Sequence, residues 1–477
     1  MTTRREFLKA AGITAGLTVS GAILSSCSNN ALPPVVVGTD GILPNGYRFF
    51  ALKRSSETLP NGGSIQQLRP DACIDASGRI IYGVVDKSDR IGMYAMRVDL
   101  NGANPTVISE ERLVVTGDYL DGRRVIELNS YDINRSGHYA VVVKVETEIM
   151  VNTTDESGNF TGKQAPMHMQ ALYGDFGLGL KKVLSENMTN AQGHEFAGMF
   201  GDVALHDDGN LIIAANYYHN SGEGLRDVRQ GVFALNSRNS SKTELVMSSG
   251  APIAASTAAP SISRFGLLSL HDGGEFVVQA NLNPSPLSLQ SASEGAMETA
   301  LLRGNLNTVG EQRLSSGAAA NMRIEASSIQ SGLRVMSTRA SGTSFFGPRL
   351  GPSRSFAHVL NNGETHTLLI NNRQVLKSGG RSPTGAVIAG ITSPQLATDG
   401  VSFVTVSTNK GIELIATNGQ QSRTILRSGD FLVNDSRPIG PYFSLGYTTT
   451  HSDDDGRLVF IVGHDANSQS LVIGIPV

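Results

Sequence analysis

Short, nearly continuous apolar runs recur along this chain, each introduced by a polar turn that ends in glycine. Asp75 to Gly78 precedes Ile80-Ile-Tyr-Gly-Val-Val85, and Asn134 to Gly137 precedes Tyr139-Ala-Val-Val-Val143. His206 to Gly209 precedes Leu211-Ile-Ile-Ala-Ala215, and His271 to Gly274 precedes Phe276-Val-Val-Gln-Ala280. Weaker copies are Ile329 to Gly332 before Leu333-Arg-Val-Met336, and Ala397 to Gly400 before Val401-Ser-Phe-Val-Thr-Val406. The last copy is Asp453 to Gly456 before Leu458-Val-Phe-Ile-Val462. The glycines lie 56 to 72 residues apart. Glycine supplies the positive φ of a tight hairpin, and an apolar run without alternation reads as a strand covered on both faces.

Two further strands follow each run. Third strands read as Gly92-Met-Tyr-Ala-Met96, Gly231-Val-Phe-Ala-Leu235, Gly411-Ile-Glu-Leu-Ile415 and Ser470-Leu-Val-Ile-Gly-Ile475. Fourth strands read as Arg112-Leu-Val-Val115, Glu244-Leu-Val-Met247 and Thr424-Ile-Leu-Arg427. Seven units of four antiparallel strands predict an all-β fold, a β-propeller of seven blades. Six or eight blades are the alternatives, because the fifth and sixth units are degenerate. The chain ends on a third strand, and Tyr47 to Lys53 is available as the fourth, which would close the ring and remove an exposed edge. Residues 145–167, 216–230, 281–298 and 339–355 read as long loops between second and third strands. Residues 118–127 and 250–262 read as long loops between blades. All of these are expected at one end of the propeller, where a site would sit on a rigid scaffold.

The copy Asn134-Arg-Ser-Gly137-His-Tyr-Ala140-Val141 resembles the tandem repeat of exported bacterial proteins with the pattern NxxGxxAF. The resemblance spans roughly residues 45–477 and implies a propeller-like fold and an exported location. It brings no catalytic residues. The chain departs from the pattern with His206, His271, Ile329 and Ala397 at the Asn position.

Composition narrows the classes. Charged residues make up 17% and aromatics 6% of 477 residues, with 53 Gly and no Trp. The lack of Trp excludes WD repeats and tryptophan docking motifs. The formal charge is −3, and about −5 once residues 1–26 are removed. That argues against a nucleic-acid partner, which would demand a basic stripe. Of the two cysteines, Cys73 reads as a small buried hydrophobe.

Candidate chemistry is sparse. The stretch Ser452 to Gly456 opens like a calcium loop, with Asp453 and Asp455 as ligands, but the later acidic ligands are missing. No cofactor is expected, and calcium is the one ion left open. The two Met of Met167-His168-Met169 should point away from the His at strand period, against a copper site. Residues 339–355 carry Arg339, Arg349 and Arg354 with Phe345 and Phe346, and no acid. Arginine forks suit carboxylates and phosphates and aromatic rings suit sugar faces, so these five are the candidate ligand contacts. Gly-x-Ser-x-Gly, Walker, His-Glu-x-x-His and Cys-x-x-Cys motifs are all absent.

The amino terminus speaks to location. Arg4 and Arg5 precede an apolar run, Ala10 to Leu24, that ends in Leu24-Ser-Ser-Cys27. The pattern is an export signal. The paired arginines resemble a twin-arginine (Tat) signal, and Leu-Ser-Ser-Cys resembles a bacterial lipobox. The resemblance implies lipidation of Cys27 and folding before export. The expected organisation is a signal peptide over residues 1–26, a lipidated tether over 27–45 and the propeller over 46–477. The leading expectation is a monomeric, periplasmic or surface lipoprotein, anchored to the membrane through Cys27. Its propeller would bind a protein, glycan or small ligand. A propeller hydrolase or lyase acting on polysaccharide or lactone is the alternative, and a structural envelope component is the third.

Overall fold

The computed structural model describes residues 43–477, apart from 251–260, 271–274, 284–297, 306–333, 339–343, 351–355, 397–400, 445–455 and further stretches of five residues or fewer. Seven sheets of four or five antiparallel strands follow one another as the blades of a seven-bladed β-propeller, and no helix occurs among the described residues. Blade one is Ile65–Ile74, Arg79–Asp86, Ile91–Asp99 and Thr106–Val115. Blade two is Arg123–Ile133, His138–Glu146, Met167–Asp175 and Gly179–Ser185. Blade three is Val203–Leu205, Asn210–Asn220, Arg226–Asn236 and Asn239–Ser248, and blade four is Ser261–Leu270, Glu275–Asn283, Glu298–Asn305 and Arg334–Thr338. Blade five is Ser344–Leu350, Phe356–Asn361, His366–Ile370 and Arg373–Lys377. Blade six is Gln395–Leu396, Ser402–Thr408, Gly411–Thr417 and Ser422–Arg427, with Ile388–Ile391 beside its second strand. Blade seven is Tyr442–Ser444, Leu458–Asp465, Ser468–Pro476 and the closing strand Tyr47–Arg54.

The uninterrupted apolar runs are explained by the interfaces. Alternate residues of one strand enter different cores. On the closing strand, Phe49 and Ala51 pack with Phe403, Leu414 and Phe460 toward blade six, while Phe50 and Leu52 pack with Ile80, Tyr82 and Tyr94 toward blade one. The second strand of blade seven divides the same way, with Leu458, Phe460 and Val462 on one side and Val459 and Ile461 on the other. A blade is thus buried on both faces, and its strands cannot alternate apolar and polar.

Closure follows the expected route. Tyr47 pairs with Pro476 and Arg54 with Ser470, antiparallel along the whole strand. The outer edge of this strand is also covered. Val433 donates its N–H to the Phe49 carbonyl at 2.8 Å. The Asn434 amide accepts from Ala51 N at 2.8 Å and donates to Ala51 O at 2.9 Å, opposite the bulge between Ala51 and Lys53. Residues 428–441, between blades six and seven, therefore act as a strap over an edge that would otherwise expose unpaired amides.

Two expectations are corrected. Arg334–Thr338 is the fourth strand of blade four, not the second strand of a fifth unit, and the second strand of blade five is Phe356–Asn361. Residues 339–355 are accordingly not a loop between second and third strands, because they contain the first strand of blade five, Ser344–Leu350. The expectation that every long connection emerges at one end also fails. Residues 306–333 join the third and fourth strands of blade four, and 445–457 join the first and second of blade seven, both at the opposite end. Elsewhere the expected long loops shorten, because the strands Asn210–Asn220 and Arg226–Asn236 extend into 216–230 and a ribbon of Val151–Thr154 and Phe160–Gln164 occupies 145–167.

Candidate functional site

The two ends of the propeller are built from two different repeated devices. At one end, the hairpin end, lie the Asx-x-x-Gly turns. Asp75 accepts from the N–H groups of Ser77 and Arg79 at 2.9 and 2.8 Å, and its second oxygen pairs with the Arg79 guanidinium. Asn134 accepts from His138 N at 2.9 Å, and its amide lies 3.4 Å from His138 Nδ1. The same design recurs at the opposite end of the propeller, in Asp86 with Arg90 and Asn190 with His194. A carboxylate is matched with arginine and a neutral amide with histidine. Gly78, Gly137 and Gly209 have φ of 80°, 80° and 86°.

These turns link blades. Arg79 donates to the Ser136 carbonyl of the next turn, and the Asn134 amide donates to the His206 carbonyl at 2.9 Å. His206, one of the residues departing from the repeat pattern, serves here through its backbone. Beside them, His138 Nε2 lies 3.8 Å from Asp175, whose carbonyl accepts from the Tyr139 hydroxyl at 3.0 Å. Burial pushes Tyr139 and the neighbouring Glu111 upward.

At the other end, the junction end, each passage from a fourth strand to the next first strand uses one loop design. The six described passages place Ser56, Gly117, Asn187, Gly250, Gly379 and Gly429 at φ of 73°, 97°, 68°, 84°, 80° and 94°. Their N–H groups donate to Ile65, Val125, Phe196, Ile262, Ile388 and Ile439 at 2.7–2.9 Å, joining each blade to the next. The preceding side chain closes the lock. Oxygens of Ser55, Thr116, Glu186, Ser249, Ser378 and Ser428 accept backbone N–H groups near the start of the third strand, at 2.9–3.2 Å. The hydroxyl completes a ladder that the strand end would leave open.

This lock dictates what points outward. Two residues past the left-handed one stand Thr58, Tyr119, Thr189, Arg381 and Phe431, all exposed, Tyr119 at 56% and Phe431 at 60%. The next residue turns inward, with Leu59 and Leu432 at 3% exposure and Asn190 and Ser382 also buried. Val433, 53% exposed, stands beside Phe431 on the strap. The carboxylates next to both aromatics are used within their own loops. Asp118 accepts from Val115 N at 2.9 Å and from the Arg112 guanidinium, and Asp430 accepts from Arg427 N and Nε at 3.0 and 3.1 Å. Behind the rim, Asp435 is held below the usual carboxylate range by hydrogen bonds from Arg437 and also Arg54, outweighing its burial. A second buried carboxylate, Glu413, accepts from the hydroxyls of Ser382, Thr384 and Thr424 at 2.5–3.0 Å. These acids are spent on structure.

The sequence-predicted residues fall as follows. Phe345, Phe346 and Arg349 lie on the first strand of blade five, paired with Leu360, Val359 and Ala357. Arg339 and Arg354 lie outside the described residues, as do Asp453, Asp455, His271, Arg4, Arg5 and Cys27. No group of three His, Cys, Asp or Glu able to hold a metal occurs among the described residues. Cys73 is buried at 1% exposure, as expected. Met169 is buried while Met167 is 40% exposed. On the first strand of blade two, Asp132 accepts from Leu205 N at 2.8 Å and Ser130 from Val203 N at 3.1 Å, so both bind the backbone of blade three. The junction rim went unread in the sequence, although Thr-Gly, Ser-Gly and Ser-Ser pairs after fourth strands mark it.

No family model matches the chain, and no curated protein matches it. The resemblance to NxxGxxAF proteins thus rests on the repeat copies alone. Among solved structures, the soluble aldose sugar dehydrogenase from Escherichia coli is similar over 65% of this chain and 93% of its own, at 14% identity and a TM-score of 0.30. A puromycin-hydrolysing peptidase from Mycobacterium tuberculosis covers 87% of this chain at 11% identity and a TM-score of 0.39. Prolyl oligopeptidase B from Galerina marginata covers 84% at 8% identity and a TM-score of 0.35. This chain spans about half the length of the two peptidases, 52% and 55%. Likeness at this level carries none of their chemistry across.

Proposed function

We propose that the protein is an exported, lipid-anchored binding propeller whose ligand docks on the junction rim. The observation that carries the binding half is the rim itself. One hydrogen-bonded loop design, repeated at six described junctions, holds the backbone constant, and at five of them it turns Thr58, Tyr119, Thr189, Arg381 and Phe431 outward. Rigid scaffolds with variable outward positions are the usual setting for recognition, and Tyr and Arg are common anchors there. The anchoring half is supported by Arg4, Arg5 and the Leu24-Ser-Ser-Cys27 motif.

Each half has its own test. A Cys27→Ala variant should leave the membrane fraction and appear soluble; retention in the membrane would overturn the anchor. For binding, residues 38–477 are screened against glycans and divalent metals by thermal shift. A ligand shift that Tyr119→Ala with Phe431→Ala abolishes supports the rim. A shift that persists in this variant places binding elsewhere.

A further inference from the structure

The junction rim carries its charge unevenly. In blades one, two, three and seven, cations at this end are matched by acids. Arg90 pairs with Asp86 at 2.8 Å, Arg124 with Glu146, Arg229 with Asp227 at 3.0 Å and Arg437 with Asp435 at 2.6 Å. The turn 86–90 of blade one holds two acids and two bases. Across blades five and six the acids are missing. Residues 365–398 contain no Asp or Glu, and the turn Thr408 to Gly411 has Lys410 as its one charged residue. Lys377, Arg381 and Lys410 are exposed, and among the described residues none of the three pairs with an acid. They lie along linked loops. Lys377 leads into the loop in which Arg381 is bridged to Val387, and Arg381 Nη1 donates to the Gly385 carbonyl at 2.8 Å. Val387 N donates to Asn409 Oδ1 at 2.9 Å, and Asn409 N donates to the Val387 carbonyl at 3.0 Å, beside Lys410. A Cβ added to Gly411 would lie 3.2 Å from Ser428, whose loop leads to Phe431. Val387 is 39% exposed and Phe431 60%. The acids close to this arc are committed, Glu413 to three hydroxyls and Asp430 to Arg427.

We infer that the blade five and six arc of the rim binds an anionic glycan, a chain of sugar acids. Lys377, Arg381 and Lys410 would meet its carboxylates, with Val387 and Phe431 against the apolar faces of its sugars. The inference rests on the rim reading above and names its ligand class. Arginine forks and lysine ammonium groups both suit carboxylates. On a chain of net charge −3, a positive arc raises the local concentration of anions. The cations are exposed rather than enclosed, which suits an extended chain. An acidic peptide fits less well, because an extended peptide binds best by adding to a free strand edge. Here the backbone groups are already used. Val387 and Asn409 bond each other, Gly379 N donates to the Ile388 carbonyl at 2.7 Å, and Ser428 N donates to the Ile412 carbonyl at 2.9 Å. Recognition is left to side chains.

The test measures binding of polygalacturonate to the purified full chain, with dextran as the neutral polysaccharide and polyglutamate as the acidic peptide. Polygalacturonate should bind more tightly than either. Its affinity should fall between about 0.1 M and about 1 M salt, as the Debye length shortens from about 10 Å to about 3 Å. Arg381→Gln with Lys410→Gln should weaken it by about tenfold, the scale of two exposed charge contacts. Lys410→Glu, at an exposed turn position, should weaken it by a similar factor without threatening the fold. Lys87→Gln with Arg124→Gln removes the same charge from blades one and two and should change affinity by less than about twofold. Four results overturn the inference: no binding of polygalacturonate, binding untouched by Lys410→Glu, an equal loss in the Lys87 and Arg124 pair, or polyglutamate bound as tightly. The rim reading is judged separately, by whether Tyr119→Ala with Phe431→Ala abolishes a ligand shift.

Discussion

Glycines that share a left-handed φ do unequal work in this protein. At Gly137 an added Cβ would sit on the Arg79 guanidinium, the group that bridges two blades. At Gly117 it would meet nothing within 4 Å. Gly117→Ala should therefore cost only the conformational term, about 1 kcal/mol. Gly137→Ala should cost about 2–3 kcal/mol, since it also displaces the bridging arginine. Urea unfolding of both variants checks the difference; equal costs would mean that Arg79 contributes nothing across the interface. His358 offers a pH test. It is 2% exposed, and burial pushes its pKa from 6.5 down to about 4. Between those values the unfolded chain binds a proton that the folded chain refuses, so stability is full above about pH 7 and falls as pH drops toward 4. A His358→Leu variant should lose that slope in thermal melts at pH 4.5 and 7.5, and an unchanged slope would assign it to other groups.

At the scale of the element, the junction lock and the strap carry the predictions. Ser378→Ala removes the oxygen that accepts His366 N at 2.9 Å and should cost about 1–2 kcal/mol. Ser378→Thr should retain most of the stability, which separates the hydrogen bond from packing. Asn434→Ala removes two bonds to Ala51 on the closing strand. It should raise hydrogen exchange at Phe49 to Leu52 ahead of the rest of blade seven, and uniform exchange would deny the strap its local role. Sequence reading found strands best where both faces are buried, as in Tyr139 to Val143 and Leu458 to Val462, because such runs permit no other reading. It failed at Arg334–Thr338, where only Val335 and Met336 are apolar. With two apolar residues in five, this outer strand carries a weaker signal than the second strands do.

For the whole molecule, ring closure is the cooperative event. Deleting residues 43–54 removes the closing strand and uncovers Phe460, Ile461 and Val472 of blade seven and Ile80 of blade one. That burial is worth several apolar side chains at about 1.5–3 kcal/mol each. The truncated chain should lose its cooperative thermal transition and bind a hydrophobic dye; a native-like melt would show that the strap and the third strand close blade seven alone.

What the amino-acid pattern determined was the blade: its hairpin, its apolar second strand and the use of Tyr47 to Lys53 as the closing strand, with seven the leading count among six, seven and eight that the structure then fixed. These follow from local rules, since positive φ demands glycine or a short polar residue and two-sided burial demands unbroken apolar runs. The rim at Tyr119, Arg381 and Phe431 was decided only by tertiary structure. A side chain becomes exposed there because a lock between three strands, distant in sequence or in different blades, fixes which residue turns inward and which outward. Local pattern holds no record of that choice, since Phe431-Leu432 is an apolar pair whose members look alike until the fold buries Leu432 and leaves Phe431 in water.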